Sequence, residues 1–278
     1  MKLNPRASEK AAKALIWLAA LFVLAILVAI IVYVLAKGLP VIGWRFLTDI
    51  PRSMGRTGGV SSTIVGTVLV TAVAIVIAVP FGIGTAFYLA EYTREGIVTR
   101  AIRFSAESLA GIPSIVYGLF GFIFFVIYLG LGWSVLSGGL TLAFMILPTI
   151  IRTSEEAIRA VPDTYREVSF SLGATKLQTI VKAVFPSAIQ GIVNGVILGV
   201  GRCIAETAAV ILTAGSALRM PTSLFSPTRT MAVHFYLLAL EGISMENAFG
   251  TAALLIILIF FINVVANMMV NRFIAKGR

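Results

Sequence analysis

The chain has 278 residues, of which 59% are hydrophobic and only 12% charged, with a mean hydropathy of +1.00. That balance lies far outside the soluble globular range and marks an integral membrane protein. The formal net charge is +10, but no long basic tract or aromatic interleaving accompanies it, which excludes nucleic acid as a partner.

Lys2, Arg6, Lys10 and Lys13 precede an apolar run from Ala14 to Ala36. The run is too long for an ordinary signal peptide and reads as a retained first span. Residues 37–61 are polar and contain Pro40, Pro51 and Gly58-Gly59; the piece from Trp44 to Ile50 suits the membrane interface. Residues 1–62 thus form a tail, a first transmembrane helix and an extracytoplasmic segment, and residues 63–278 a five-helix transmembrane domain.

The second span, Thr63 to Ala90, is interrupted by Pro80, Gly82 and Gly84, which predicts a kink. A loop from Glu91 to Glu107 mixes Arg94, Arg100 and Arg103 with Glu91, Glu95 and Glu107. The third span, Ser108 to Leu129, opens with Pro113 at its entry and Gly111, Ser114, Gly118 and Gly121 leaving a thin face. The fourth, Leu136 to Ile151, contains Pro148 and continues as helix through Arg152 towards Ala160, where Pro162 stops it.

The fifth span, Ala188 to Ala214, carries Arg202 and Glu206. Residues 215–247 form a partly helical cap with MAVHFYLLALEG as its helical part, and Ala248 to Val270 is the sixth span. The fold class is therefore all-α, a polytopic membrane protein with six transmembrane helices. Six spans put both termini on one side. The tail, the 91–107 loop, the 155–186 loop and the C-terminal end hold 4, 3, 4 and 3 Lys or Arg, against 4 and 2 in the two opposite loops, which places both termini in the cytoplasm.

The segment Glu155 to Pro186 is the one long polar interruption, bounded by breaks at Pro162 and Pro186. Val168, Leu172, Leu177 and Ile180 recur on one side of a helical reading, and Gly173 divides it into two short pieces. Such a bent, charged connector either receives force from a soluble partner or merely joins two spans.

A charge at mid-membrane costs roughly 2.5–3.5 kcal/mol on insertion scales and is seldom accidental. Arg202 and Glu206 stand four residues apart, on one face of a helix and within reach of each other. The Arg fork matches two oxygens of a tetrahedral oxyanion, and Glu206 can accept from a protonated oxygen such as phosphate supplies. Alternatively the two are a structural ion pair. Arg152 is a second donor, or a snorkelling side chain. Ser114, Thr153, Ser154 and Thr207 are neutral hydrogen-bonding candidates. Adjacent Glu155 and Glu156 diverge on a helix, and with a single cysteine, Cys203, and a single histidine, His234, no metal site is expected. The absence of GxxxxGK[ST], GxSxG and HExxH leaves no recognised catalytic apparatus, so the chain is expected to need no cofactor and to leave ATP hydrolysis to another subunit.

Glu167-Val168-Ser169, Gly173 and Ala183-Val184-Phe185-Pro186 together resemble the EAA loop of bacterial ABC importer permeases, EAA-x3-G-x9-I-x-L-P. Val168 and Ser169 replace the two alanines, Ala183 the Ile and Phe185 the Leu. GIPSIVYGLFG (Gly111 to Gly121), LPTIIRTSEEAIRAVP (Leu147 to Pro162) and GRCIAET (Gly201 to Thr207) look like the permease subunits of the phosphate-specific transporter family, and the C-terminal stretch is more similar to the A-type than to the C-type subunit.

The resemblance implies a type I ABC importer permease fold in a bacterial or archaeal cell membrane. It further implies a second, C-type permease as partner, two copies of an ATP-binding subunit holding ATP and Mg, and an extracytoplasmic phosphate-binding protein. Tyr165, Arg166, Glu167, Leu172 and Gly173 would then belong to the helix that meets the ATPase, and Arg202, Glu206 and Arg152 to the phosphate path. Where GETA or GETM is common in the family, this chain has Ala205-Glu206-Thr207-Ala208. A permease for sulfate or molybdate, a C-type subunit and a non-transporting scaffold are the alternatives.

Overall fold

The computed structural model describes residues 5–93 and 96–276, with side chains over 9–10, 12–93 and 96–268. Lys2, Arg6, Arg94, Arg272, Lys276 and Arg278, all used in the charge count, have side chains outside those ranges, as does Glu95. Among the described residues the only non-helical pairing is one antiparallel bridge between Arg52 and Thr57.

Helix α1 (Pro5–Gly38) is exposed along its whole apolar length and packs chiefly on the last helix, with Tyr33 edge-on to Phe249 at 5.7 Å. The one-turn α2 (Trp44–Thr48) presents Trp44 outward and buries Phe46. Helix α3 (Ser61–Phe87) keeps Pro80 in its interior and ends in a π turn over Tyr88–Tyr92.

The sequence reading of the next stretch needs correction. Residues Ile97–Ala110 form a helix, α4, and not a loop. The third span proper is α5 (Ser114–Gly121) continued by a π segment (Phe122–Tyr128), bent 100° from α4. The bend falls at Gly111-Ile112-Pro113, where Pro113 supplies no N–H and disfavours helix in the residue before it. Helix α4 turns Thr99 and Arg103 inward while Ile97, Val98 and Phe104 face outward, an inversion that hides it from hydropathy.

Helix α6 (Val135–Arg159) is the centre of the domain. Two thirds of its most apolar stretch (67%) is buried, against 28% for α3 and 22% for the last span. Its stripe of Leu142, Ile146, Ile150 and Ile158 meets α3 and α9, and the helix runs on past Arg152 as expected.

The connector folds as α7 (Asp163–Ser171) and α8 (Lys176–Thr179), the latter started by a capping box between Thr175 and Gln178 and followed by a π turn into α9 (Phe185–Ala205). Gly173 divides the two pieces at φ +78°, a left-handed conformation open to glycine without steric cost. The fifth span then breaks at Glu206-Thr207 and resumes as α10 (Ala208–Thr213).

Helix α11 (Met231–Leu240) lies in the expected cap, and α12 (Met245–Lys276) closes the chain. The cap is pinned to the start of α3: Ser62 Oγ donates to the Leu218 carbonyl at 2.6 Å, and the Met231 N–H donates to Thr67 Oγ1 at 2.9 Å. Inside it Arg229 is buried, donating to the Ser216 carbonyl at 3.0 Å, and His234 Nδ1 lies 3.4 Å from its guanidinium.

Candidate functional site

The connector offers one face and anchors the other. Tyr165, Val168 and Leu172, at positions i, i+3 and i+7, are 51%, 60% and 82% exposed, an apolar face at the helix surface; Glu167 is exposed beside it. Arg166 behaves differently from its neighbours. Its Nε and Nη2 donate to Glu91 Oε1 at 3.0 and 2.7 Å, Nη1 to the Val161 carbonyl at 2.8 Å and Asp163 Oδ1 at 3.1 Å, and Nη2 to the Ile158 carbonyl at 3.1 Å. The sequence reading grouped Arg166 with the outward residues of the connector; its side chain turns inward.

The charges within the spans are also placed unexpectedly. The predicted partnership of Arg202 and Glu206 presumes an unbroken helix, but Glu206 has ψ 130° and ends α9. Its carboxylate accepts from the Ala209 N–H at 3.2 Å, satisfying one of the donors left open at the start of α10. Among the described residues Arg202 makes no hydrogen bond or ion pair, and it is half-buried. Its charge is felt by Tyr117 on α5, whose phenol donates to the Leu109 carbonyl at 2.8 Å, across the bend between α4 and α5.

Arg152 is exposed and held by two carboxylates, Glu156 at 3.0 Å and Glu107 of α4 at 4.0 Å. Its neighbour Glu155 is buried and reaches the other way, to Arg103 at 2.8 Å and Arg159 at 3.0 Å, so the adjacent glutamates do diverge. Helices α6 and α9 run antiparallel, with Gly191 against Ala157 and Gly195 against Thr153. Extending that register puts Arg202 level with Ile146, about 9 Å along the axis from Arg152 at 1.5 Å per residue. The broken α4–α5 span reaches Arg152 through Glu107, at 4.0 Å.

The neutral candidates are scattered. Thr153 is turned into the α6–α9 seam, where its hydroxyl donates to the Thr149 carbonyl at 2.8 Å. Ser154 is fully buried on the core stripe of α6, and its hydroxyl has no partner there. Ser114 and Thr207 are half-buried, at the start of α5 and at the break in the fifth span. Sequence reasoning missed Glu91, Glu107 and Glu156 as partners of Arg166 and Arg152. Each had a visible cue, an acidic group near the end of an apolar run, but only the tertiary fold shows which arginine it meets.

A helical membrane domain with a bent, apolar-faced connector at one end of its spans and cations along a broken span belongs to the class of importer permeases. The chain is a member of the family of binding-protein-dependent transport system inner membrane components, whose model matches residues 78–276. It is 31% identical over 280 residues to the probable ABC transporter permease protein YqgI of Bacillus subtilis, covering 95% of each chain. It is 38% identical over 224 residues to the phosphate transport system permease protein PstA 1 of Mycobacterium tuberculosis, covering 80% of this chain and 72% of that one. Among solved structures, a bacterial alginate ABC transporter superposes with a TM-score of 0.67 at 15% identity over 96% of both chains. The inward-facing MetNI methionine transporter gives 0.59 at 21% identity over 77% of this chain and 94% of that one. The fold is that of a type I ABC importer permease, and the chain is a permease subunit of an ABC importer.

Proposed function

We propose that this subunit passes inorganic phosphate through the membrane of an ATP-driven importer, between an extracytoplasmic phosphate-binding protein and the cytoplasm. The observation that carries the reading is Arg202: a half-buried guanidinium with no protein acceptor among the described residues, at a break in a membrane span. Its planar fork fits two oxygens of a tetrahedral anion. Relatives named as phosphate transport permeases supply the substrate.

The working complex holds a second, C-type permease and two ATP-binding subunits that carry ATP and Mg, docked on the exposed face of α7 at Tyr165, Val168 and Leu172. Both termini and the connector are cytoplasmic. Phosphate meets Arg202 first and Arg152 about two helical turns later. Glu206 serves in this scheme by capping α10 and holding the break open, not by gripping Arg202. Against a pure scaffold, in which the two charges would be only a structural pair, stands the contact that Glu206 makes with the Ala209 N–H and not with Arg202.

The test is uptake of labelled phosphate by proteoliposomes containing the complete complex and binding protein, with sulfate, molybdate and phosphate as competitors. Competition by unlabelled phosphate alone supports the assignment. Equal competition by sulfate or molybdate would transfer the chain to another oxyanion.

A further inference from the structure

The connector is covalently continuous with α6 and α9 but has no covalent link to α3, the helix packed most extensively along α6. Two polar contacts bridge that gap. Lys176 lies 4.8 Å above the ring of Tyr92, and Arg166 forms its two-bond contact with Glu91. Glu91 and Tyr92 both belong to the π turn that ends α3, a widened turn of a kind often found at functional positions.

The guanidinium of Arg166 has five N–H donors, and the five hydrogen bonds given above use them all. Two go to α3, two to carbonyls at the end of α6 and just beyond it, and one to Asp163 of its own helix. The pair is enclosed, with side chains 17% and 8% exposed. A buried pair of this kind adds little to stability over an apolar replacement, whereas removing one partner is damaging; its value is in fixing relative position. No donor remains for a group on another subunit.

We propose that Arg166 and Glu91 are positioning residues forming the strut by which movement of the connector is delivered to α3. Arg166 thus acts within this chain, and the cleft of the ATPase is met by Tyr165, Val168 and Leu172 alone. The inference rests on the reading that the connector receives the ATPase stroke. A pull on α7 would draw α3 along with α6 and α9, so that all three core spans turn together. Without the strut, α3 would lag behind while nucleotide hydrolysis continued.

The complete complex is reconstituted with wild-type chain, Glu91→Gln or Arg166→Lys, and three quantities are measured: ATPase subunits retained on purification, ATP hydrolysed, and phosphate moved per ATP. Lysine keeps the charge but lacks the fork, so both variants should retain the ATPase and hydrolyse ATP while phosphate per ATP falls at least about fivefold. A merely structural pair would lower the yield of complex and leave that ratio unchanged in what assembles, and this result would overturn the proposal. Should either variant fail to assemble, Glu91→Cys with Arg166→Cys in a Cys203→Ala background gives a second test. A short thiol-specific bridge should restore the ratio and its reduction abolish it; a bridge without effect overturns the strut. A wild-type complex that retains no ATPase would defeat the parent reading as well, which separates the two failures.

Discussion

Acid should weaken the cap through His234. Its side chain is fully buried with Nδ1 3.4 Å from the Arg229 guanidinium. Burial first, and the Arg229 charge second, push its pKa down from 6.5 to about 4. An unfolded chain therefore takes up the proton near pH 6.5 while the folded cap refuses it until near pH 4. The unfolded state binds more protons in that window, so the contribution is complete above pH 6.5 and is lost as pH falls towards 4. Two and a half pH units at 1.36 kcal/mol each give about 3 kcal/mol in total, most of which is lost by pH 4.5. The assay is unfolding of the detergent-solubilised chain at several pH values, for wild type and His234→Gln. Carboxylates titrate in both and cancel in the difference, so the wild type should lose about 2–3 kcal/mol more than the variant between pH 7.5 and 4.5. Parallel curves would show that His234 is not held neutral by this packing, and the account of the cap would fail.

Arg202→Gln should reduce phosphate uptake at least about tenfold with the complex intact, the loss expected of a charge-assisted contact. Glu206→Gln should leave most uptake in place and cost about 1 kcal/mol, because an amide oxygen can still accept from Ala209; equal losses in the two would restore the paired reading. Gly195→Val places a branched side chain against Thr153 and should destabilise the α6–α9 seam by about 1–3 kcal/mol in thermal unfolding. Leu172→Asp should release the ATPase on purification without altering the fold, since Leu172 is 82% exposed. Neutralising Glu107 and Glu156 together removes both counter-charges of Arg152, and phosphate trapped inside proteoliposomes should then inhibit uptake at lower concentration than in wild type.

The spans were legible because hydrocarbon demands long apolar runs, and the connector because Gly173, Pro162 and Pro186 punctuate it. Helix α4 was not. Ile97, Val98 and Phe104 face out while Arg103 faces in, so a count of charges along residues 91–107 reads as loop. Its polar residues become intelligible only beside α6, where inward Arg103 meets Glu155 and exposed Glu107 meets Arg152. The break at Glu206 was hidden for a different reason. Neither proline nor glycine occupies it, and the spacing rule that paired Glu206 with Arg202 holds only while the helix continues. A carboxylate that can reach either an arginine one turn back or an amide three residues ahead is decided by the backbone, and here the backbone opens.

The arginines sort by how their charge is balanced, and the sorting bears on the path. Arg103 and Arg166 are enclosed with carboxylates at 2.8 and 2.7 Å, and Arg229 is buried among carbonyls. Burying an ion without such partners costs several kcal/mol, so these three are fixed by the fold. Among the described residues Arg202 has no comparable partner and remains half-buried, which is tolerable only where water or an anion can reach the guanidinium. The break at Glu206-Thr207 lies one turn further along, where two residues leave the helix. On the proposed path an anion at Arg202 would therefore gain the fork without first breaking a protein ion pair. At Arg152, by contrast, Nε is held by Glu156 at 3.0 Å and Nη1 lies 4.0 Å from Glu107, so on the proposed path an anion would compete there with two carboxylates.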